Sequence, residues 1–225
     1  MDDHARPSRQ QISDAVDPLG WRLILGVIHT EVLAPSLMEA TEAASLAVSA
    51  AGADGQGHLT VDIRADRAVL RLQSAEAGWV TGRDIRLAHR VSGALGARGL
   101  HTTPGHGSLQ LLEIAIDALD IAAVRPFWKA ITGYVDEPGS ELQAALLDPT
   151  GRGPAIWFQQ MDAPRPQRNR IHIDVDVPAE EAAARIDAAV AAGGTLLSDA
   201  AAPAFWVLAD SEGNEACICT WQGRD

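Results

Sequence analysis

From Glu113 the sequence runs "EIAIDALDIAAVRPFWKAITGY", and from His172 it runs "HIDVDVPAEEAAARIDAAVAAGG". Both stretches read as strand, turn, helix and closing glycine, at Gly133 and Gly193, and Phe127 and Ile186 stand at the same offset from the two starts. Each then passes through an Asp-x-x-Gly turn, "DPTG" at Asp148 and "DSEG" at Asp210, into a last apolar strand, "AIWFQQM" or "EACICTW". The spacing predicts two βαβββ units filling residues 109–222. A unit of this order leaves a curved sheet with one open face, and two such units can pair around a cavity. Inward strand positions then carry the chemistry, because alternate residues of a strand share a face. The matched positions on the two first strands are Glu113 and His172, with Ala115 and Asp174 next on the same faces.

The rest of the chain reads differently. The segment "HTTPGHGS", 101–108, has no apolar period and the composition of a linker, which divides the 225 residues into domains at 1–100 and 109–225. In the first domain "SRQQISDAV" suits a short helix capped by Ser8, and "WRLILGVIHTEV" suits a pair of strands. "PSLMEATEAASLAVSAAG" reads as an Ala-rich helix with Pro35 in its first turn and Gly52 past its end. "HLTVDIRADRAVLRL" is two alternating runs around an Ala-Asp turn. Thr81 caps a last helix, "GRDIRLAHRVSGAL", with Ile85, Ala88, His89 and Leu95 on or near its apolar stripe. The fold class is α+β: a small antiparallel sheet covered by helices, followed by paired βαβββ units.

Charge and cysteine content exclude several classes. The formal net charge is −12 and neither half is basic, which argues against a nucleic-acid partner. The one basic cluster, Arg165, Arg168 and Arg170, sits in a Pro-punctuated loop and reads as solvated. No apolar run approaches a membrane span, and "MDDHARPSRQ" lacks the pattern of a secretory signal, so a cytoplasmic protein is expected. Cys217 and Cys219, two apart on one strand, cannot join without strain and read as reduced core thiols.

"LLEIAIDALDIAAVRPFWKAITGY", "NRIHIDVDV", "AAGGTLL" and "LADSEGNEACI" together resemble the vicinal oxygen chelate superfamily in its glyoxalase-like branch. The resemblance implies the paired-unit fold over residues 109–222. It leaves the chemistry open, since the superfamily includes metal-dependent isomerases, dioxygenases, antibiotic-resistance transferases and metal-free binding proteins. In metal-using members it implies a divalent ion held at the first and last strands of each unit. Those positions fall on Glu113 and His172, on Cys217 with Glu215 on the same face, and on Trp157 or Gln159. This set is incomplete, so a metal-free cavity is expected ahead of a divalent metal held by Glu113, His172 and Cys217. Without a metal, Glu113 paired with His172 across the cavity would satisfy both groups and could do acid–base work. Trp157 could line an apolar pocket, while Trp128 and Trp206 suit core or cavity wall. His172 also has a plain reading as a hydrogen-bonded core histidine.

"LGWRL", "GQGHLTVDIRADRAVLRLQS" and "GWVTGRDIRLA" resemble the pterin-4a-carbinolamine dehydratases over roughly residues 8–97. That resemblance implies a His-His-Pro-Asp loop, a further histidine and an Arg-Asp pair that together handle protons during dehydration. Here the loop reads Gly57, His58, Leu59 and Thr60, and the later histidine is Ala75. Trp21, Arg83 and Asp84 remain as substrate-binding candidates, with His58 as the surviving proton-handling group. Loss of cooperating groups commonly costs orders of magnitude in rate, so an inactive dehydratase-like domain is expected.

The leading expectation is a small-molecule enzyme or binder working through the C-terminal cavity with Glu113 and His172. Pterin carbinolamine dehydration by the N-terminal domain and a non-catalytic, ligand-binding or regulatory role are the alternatives. If active, either domain would act as a lyase-like enzyme. A homodimer is expected from the pairing habits of both families resembled.

Overall fold

The Ser8 hydroxyl accepts from the Gln11 amide at 3.2 Å while the Gln11 side chain returns to the Ser8 amide at 2.9 Å, a reciprocal cap that starts helix α1, Arg9–Val16. The computed structural model describes residues 6–105, 110–138, 145–164 and 171–223. The chain divides into two units, Met1–Leu111 and Leu112–Asp225.

In the first unit α1 leads to strands β1, Arg22–Ile24, and β2, Val27–Leu33, then helix α2, Leu37–Ala51. Strands β3, Leu59–Arg64, and β4, Arg67–Leu72, helix α3, Gly82–Gly96, and a two-residue strand β5, Thr102–Thr103, follow. The sheet is antiparallel in the order β1-β2-β4-β3, with β5 added alongside β2. Ile28, Val32, Ala68, Leu70 and Leu72 point to one side of it and share a core with Ile12 and Val16 of α1 and with the helices α2 and α3. Helix α2 buries Ala40, Ala43, Ala44, Ala47 and Ala51, small residues that let its axis come close to the sheet.

Three local readings change. Ser36 caps α2 through a hydrogen bond from the Glu39 amide, so Pro35 lies before the helix rather than in its first turn. His89 is exposed, because the buried stripe of α3 runs through Ile85, Ala88, Val91 and Leu95 and turns His89 to solvent. Thr102 and Thr103, read as linker, are tied to the domain: they pair with Val32 and Glu31, and the Thr102 hydroxyl donates to the Leu19 carbonyl. The remaining loop residues 106–109 and the basic cluster Arg165, Arg168 and Arg170 lie outside the described residues.

The second unit holds strand β6, Glu113–Ala118, helix α4, Ile121–Thr132, and strands β7, Val135–Asp136, β8, Leu146–Leu147, and β9, Ala155–Gln160. It continues with strand β10, Ile173–Asp176, helix α5, Ala182–Ala191, and strands β11, Thr195–Ser198, β12, Phe205–Ala209, and β13, Glu215–Cys219. Two four-stranded sheets result, β6-β9-β8-β7 and β10-β13-β12-β11. The strand order is the same in both, and in each the first strand lies parallel to the last. Asp120 caps α4 by accepting from the Ala123 amide, and Gly133 ends it at φ +72°, where a side chain would be strained. Ile116, Phe127, Ile131, Ile156, Leu208 and Ile218 belong to one buried core that both sheets and both helices share. Among the described residues no helix is long and apolar enough to cross a membrane.

Candidate functional site

Residues that face away from the shared core define the open faces of the two sheets. On the first sheet, Glu113, Ala115 and Asp117 of β6 alternate with the inward Ile114, Ile116 and Ala118, and they stand beside Ala155, Trp157 and Gln159 of β9. Glu113 is exposed, so no burial penalty demands a partner for it. On the second sheet, Asp174 of β10 stands opposite Cys217 of β13 and Asp176 opposite Cys219, with His172 just before β10. These faces have different character. The first carries exposed Glu113, Trp157 and Gln159, while on the second both cysteines are buried under the cavity rim.

That cavity has a volume of about 470 Å³ and is lined by His172, Asp174, Ala204, Phe205, Cys217 and Cys219. Its size falls within the range of small-molecule pockets. His172 Nε2 lies 3.2 Å from Asp174 Oδ1, with the two side chains 53% and 54% exposed. Asp174 also accepts a hydrogen bond from the Cys217 thiol. Burial first, and then that hydrogen bond with the nearby Asp174, Cys219 and Glu215, pushes the Cys217 thiol up to about 12. It is therefore a protonated donor near neutral pH and not a ready nucleophile. Both cysteines are free, as their spacing predicted.

The expected pairing of Glu113 with His172 across a cavity does not form. The partner of His172, which lies just before β10, is Asp174 on that strand, and Glu113 is not among the residues that line the cavity. Trp157 and Gln159 likewise lie on the first sheet and outside this lining, and Glu215, on the same strand face as Cys217, lies beyond it. Trp128 and Trp206 belong to the core. Asp174 is the residue that sequence reasoning passed over as a ligand or base partner. Its signal was present in the period-two spacing of His172 and Asp174 within "HIDV".

The resemblance implies a divalent ion, and a cluster of three donors stands at this cavity. One nitrogen of His172, one carboxylate oxygen of Asp174 and the Cys217 sulfur lie within 4.8 Å of one another. An ion with bonds of about 2.0–2.3 Å needs its donors roughly 3.3–3.8 Å apart in a tetrahedron. Rotation of the half-exposed His172 and Asp174 side chains covers that difference, so these residues fit such an ion.

The first unit places its own candidates together. His58 Nδ1 lies 2.8 Å from Asp84 Oδ1, and Asp84 is fully buried at the start of α3. Asp84 Oδ2 accepts from both the amide and the hydroxyl of Thr81 at 2.7 Å. Trp21 is wholly buried and donates its indole N–H to Ser92, which makes it part of the core; Arg83 is partly buried beside Asp84 in sequence.

Residues 113–219 match the family model described as a glyoxalase-like domain. Solved structures similar to this chain include a glyoxalase-related enzyme from Fulvimarina pelagi, at 20% identity over 50% of this chain and 88% of that one, with a TM-score of 0.39. A glyoxalase/bleomycin resistance protein/dioxygenase family enzyme from Burkholderia phytofirmans matches at 20% identity over 50% and 98%, with a TM-score of 0.38. The fosfomycin resistance protein FosX from Listeria monocytogenes, complexed with Mn(II) and sulfate, matches at 15% identity over 51% and 91%, with a TM-score of 0.40. No curated protein matches the sequence. Residues 113–219 are thus similar to the glyoxalase-like domain, with the strand order of the two sheets repeated within that stretch.

Proposed function

We propose that the C-terminal unit binds a small oxygenated molecule in the cavity beside His172 and acts on it by proton transfer. The observation that carries this reading is the His172–Asp174 pair, 3.2 Å apart at the wall of a cavity of about 470 Å³. With Nε2–H donating to the Asp174 carboxylate, Nδ1 of the neutral imidazole keeps a lone pair and can accept a substrate proton. Asp174 then holds the ring and balances the imidazolium that forms. Phe205, 39% exposed, offers an apolar surface beside the polar groups. A divalent ion held by His172, Asp174 and Cys217 would take up the imidazole lone pair and, in place of this acid–base route, would supply Lewis-acid polarisation of a substrate oxygen. A thermal-shift screen of small hydroxy- and keto-acids, aldehydes and epoxides on the unaltered protein and on His172→Ala tests the reading. It predicts a ligand shift that His172→Ala abolishes; a shift unchanged in His172→Ala, or none from any compound, would sink it.

A second reading rests on the His58–Asp84 contact. A buried carboxylate fixing an imidazole at 2.8 Å is the arrangement a proton-handling histidine needs, and it favours pterin carbinolamine dehydration by His58, with Arg83 near the substrate. The absence of histidine at Gly57 and Ala75 weighs against a full rate. A dehydration assay decides it: the second reading requires a rate above background that falls in His58→Ala.

A further inference from the structure

We infer that the second sheet of the C-terminal unit carries, by itself, a binding site for one thiophilic divalent ion of the zinc(II) class, with His172, Asp174 and Cys217 as its ligands. This deepens the cavity reading above and rests on it for the fourth coordination position.

The sequence resemblance set a metal-free cavity ahead of a divalent ion held by Glu113, His172 and Cys217. The structure replaces Glu113 by Asp174, which stands on β10 opposite Cys217 of the parallel strand β13, and adds His172 from the residue just before β10. Their ligand atoms lie within 4.8 Å of one another. The strand register fixes the backbone separation of Asp174 and Cys217, and His172 adjoins the first residue of β10.

Donor chemistry then selects the ion. One imidazole nitrogen, one carboxylate oxygen and one sulfur suit zinc(II) or its surrogates cobalt(II) and cadmium(II), whereas magnesium and calcium require oxygen ligands. On binding, the Cys217 S–H bond breaks, its proton leaves to solvent, and the sulfur electron pair forms the bond to the ion, with no oxidant or reductant needed. Asp174 and the Cys217 thiolate then carry two negative charges against the two positive charges of the ion. Three protein ligands would leave one position open, as in catalytic rather than structural sites, and Ala204, Phe205 and Cys219 line the same cavity as the three donors.

The test uses the full chain, stripped with a chelator under reducing conditions and titrated with zinc(II) against a chromophoric competitor, and separately with cobalt(II) followed by absorption. One equivalent of zinc(II) should bind, and cobalt(II) should give a sulfur-to-metal charge-transfer band. His172→Gln and Asp174→Asn should each weaken zinc(II) at least ~10-fold. Cys217→Ala should remove the charge-transfer band, and Glu113→Gln should bind zinc(II) as tightly as the unaltered chain. Because Cys217 is buried and its replacement can disturb packing, the exposed Asp174→Asn variant carries the test if Cys217→Ala does not fold. Failure to bind one equivalent, a cobalt(II) complex without the sulfur band, no loss of affinity in Asp174→Asn, or a Glu113→Gln loss equal to that of Asp174→Asn would each overturn the site. If the ion fails while the stripped protein still gives a His172-dependent shift with a small molecule, the cavity reading stands and only the metal inference falls.

Discussion

His58 Nδ1 and Asp84 Oδ1 lie 2.8 Å apart, although 26 residues separate them in the chain and Asp84 has no exposure to solvent. The same carboxylate closes the cap of α3 through the Thr81 amide and hydroxyl. Positioning of the histidine and initiation of the helix therefore depend on one buried group.

Removing the acceptor should cost more than removing one donor. Asp84→Ala strips three donors of their partner and is expected to destabilise the first unit by about 3 kcal/mol. His58→Ala leaves the Thr81 contacts intact and should cost about 1 kcal/mol. Urea unfolding of both variants checks this, and equal losses would show that the histidine contact, not the cap, holds Asp84 in place.

His29 gives the first unit a pH dependence. It is 5% exposed on β2, with Arg22 and Arg71 as its cross-strand neighbours, and its Nε2 has no hydrogen-bond partner among the described residues. Burial, with Arg71 adding, lowers its pKa from 6.5 to about 4. Below pH 6.5 the unfolded chain takes up a proton that the folded chain refuses until about pH 4. Folding stability from this group is thus complete above 6.5 and falls as pH drops towards 4, by a total on the order of 3 kcal/mol. His29→Leu should flatten that limb of the stability–pH curve; parallel curves for variant and parent would contradict the burial argument.

Two glycines should respond in opposite directions to alanine. Gly20 sits at φ +81°, and a Cβ there would meet the Thr102 carbonyl oxygen at 2.3 Å, so Gly20→Ala should cost about 2 kcal/mol or more by straining the turn and pushing β5 off the sheet. Gly93 is exposed within α3 with open space around it, and Gly93→Ala should stabilise by about 0.5–1 kcal/mol. Thermal denaturation of the two variants reads both signs. A harmless Gly20→Ala would mean that Thr102 and Thr103 are not held against β2.

How far the sequence reached depended on the range of the interaction. The βαβββ periods were legible because strand alternation, helix stripe and turn glycine are all local signals, and both sheets follow the predicted element order. Glu113 and His172 were singled out by their matched places in the repeat, but matched places make them equivalent, not adjacent. Proximity is set by sheet pairing, which put Asp174 beside Cys217 on one sheet, with His172 just before β10, and left Glu113 on the other. The His58–Asp84 contact was hidden for a related reason. Asp84 reads in sequence as the acidic residue of a helix start, and only tertiary packing turns that cap towards a histidine on a distant loop.

Asp148 and Asp210 open equivalent turns in the two repeats, yet they should differ in energetic weight. Asp210 is 4% exposed and accepts from Trp128 Nε1 at 3.0 Å, from the Glu212 and Asn214 amides at 2.9 Å, and from the Asn214 side chain at 2.8 Å. One carboxylate thereby joins α4 to the turn between β12 and β13. Asp210→Ala leaves the buried indole N–H and the turn amides without an acceptor, and a loss of about 3–4 kcal/mol follows, with a red-shifted Trp128 emission. Asp148 is only half-buried and accepts from the amides of Thr150, Arg152 and Gly153 and from the Thr150 hydroxyl, all within its own turn. Burial alone would raise its pKa, but these hydrogen bonds outweigh it and hold the group at about 2. Its contribution is present above the unfolded value of 3.8 and is lost as pH falls through about 2. Water can replace the acceptor in Asp148→Ala, so that variant should cost about 1 kcal/mol. Chemical denaturation of the pair measures the difference; equal costs would mean that the indole contact adds nothing and that the two turns are interchangeable in energy as well as in sequence.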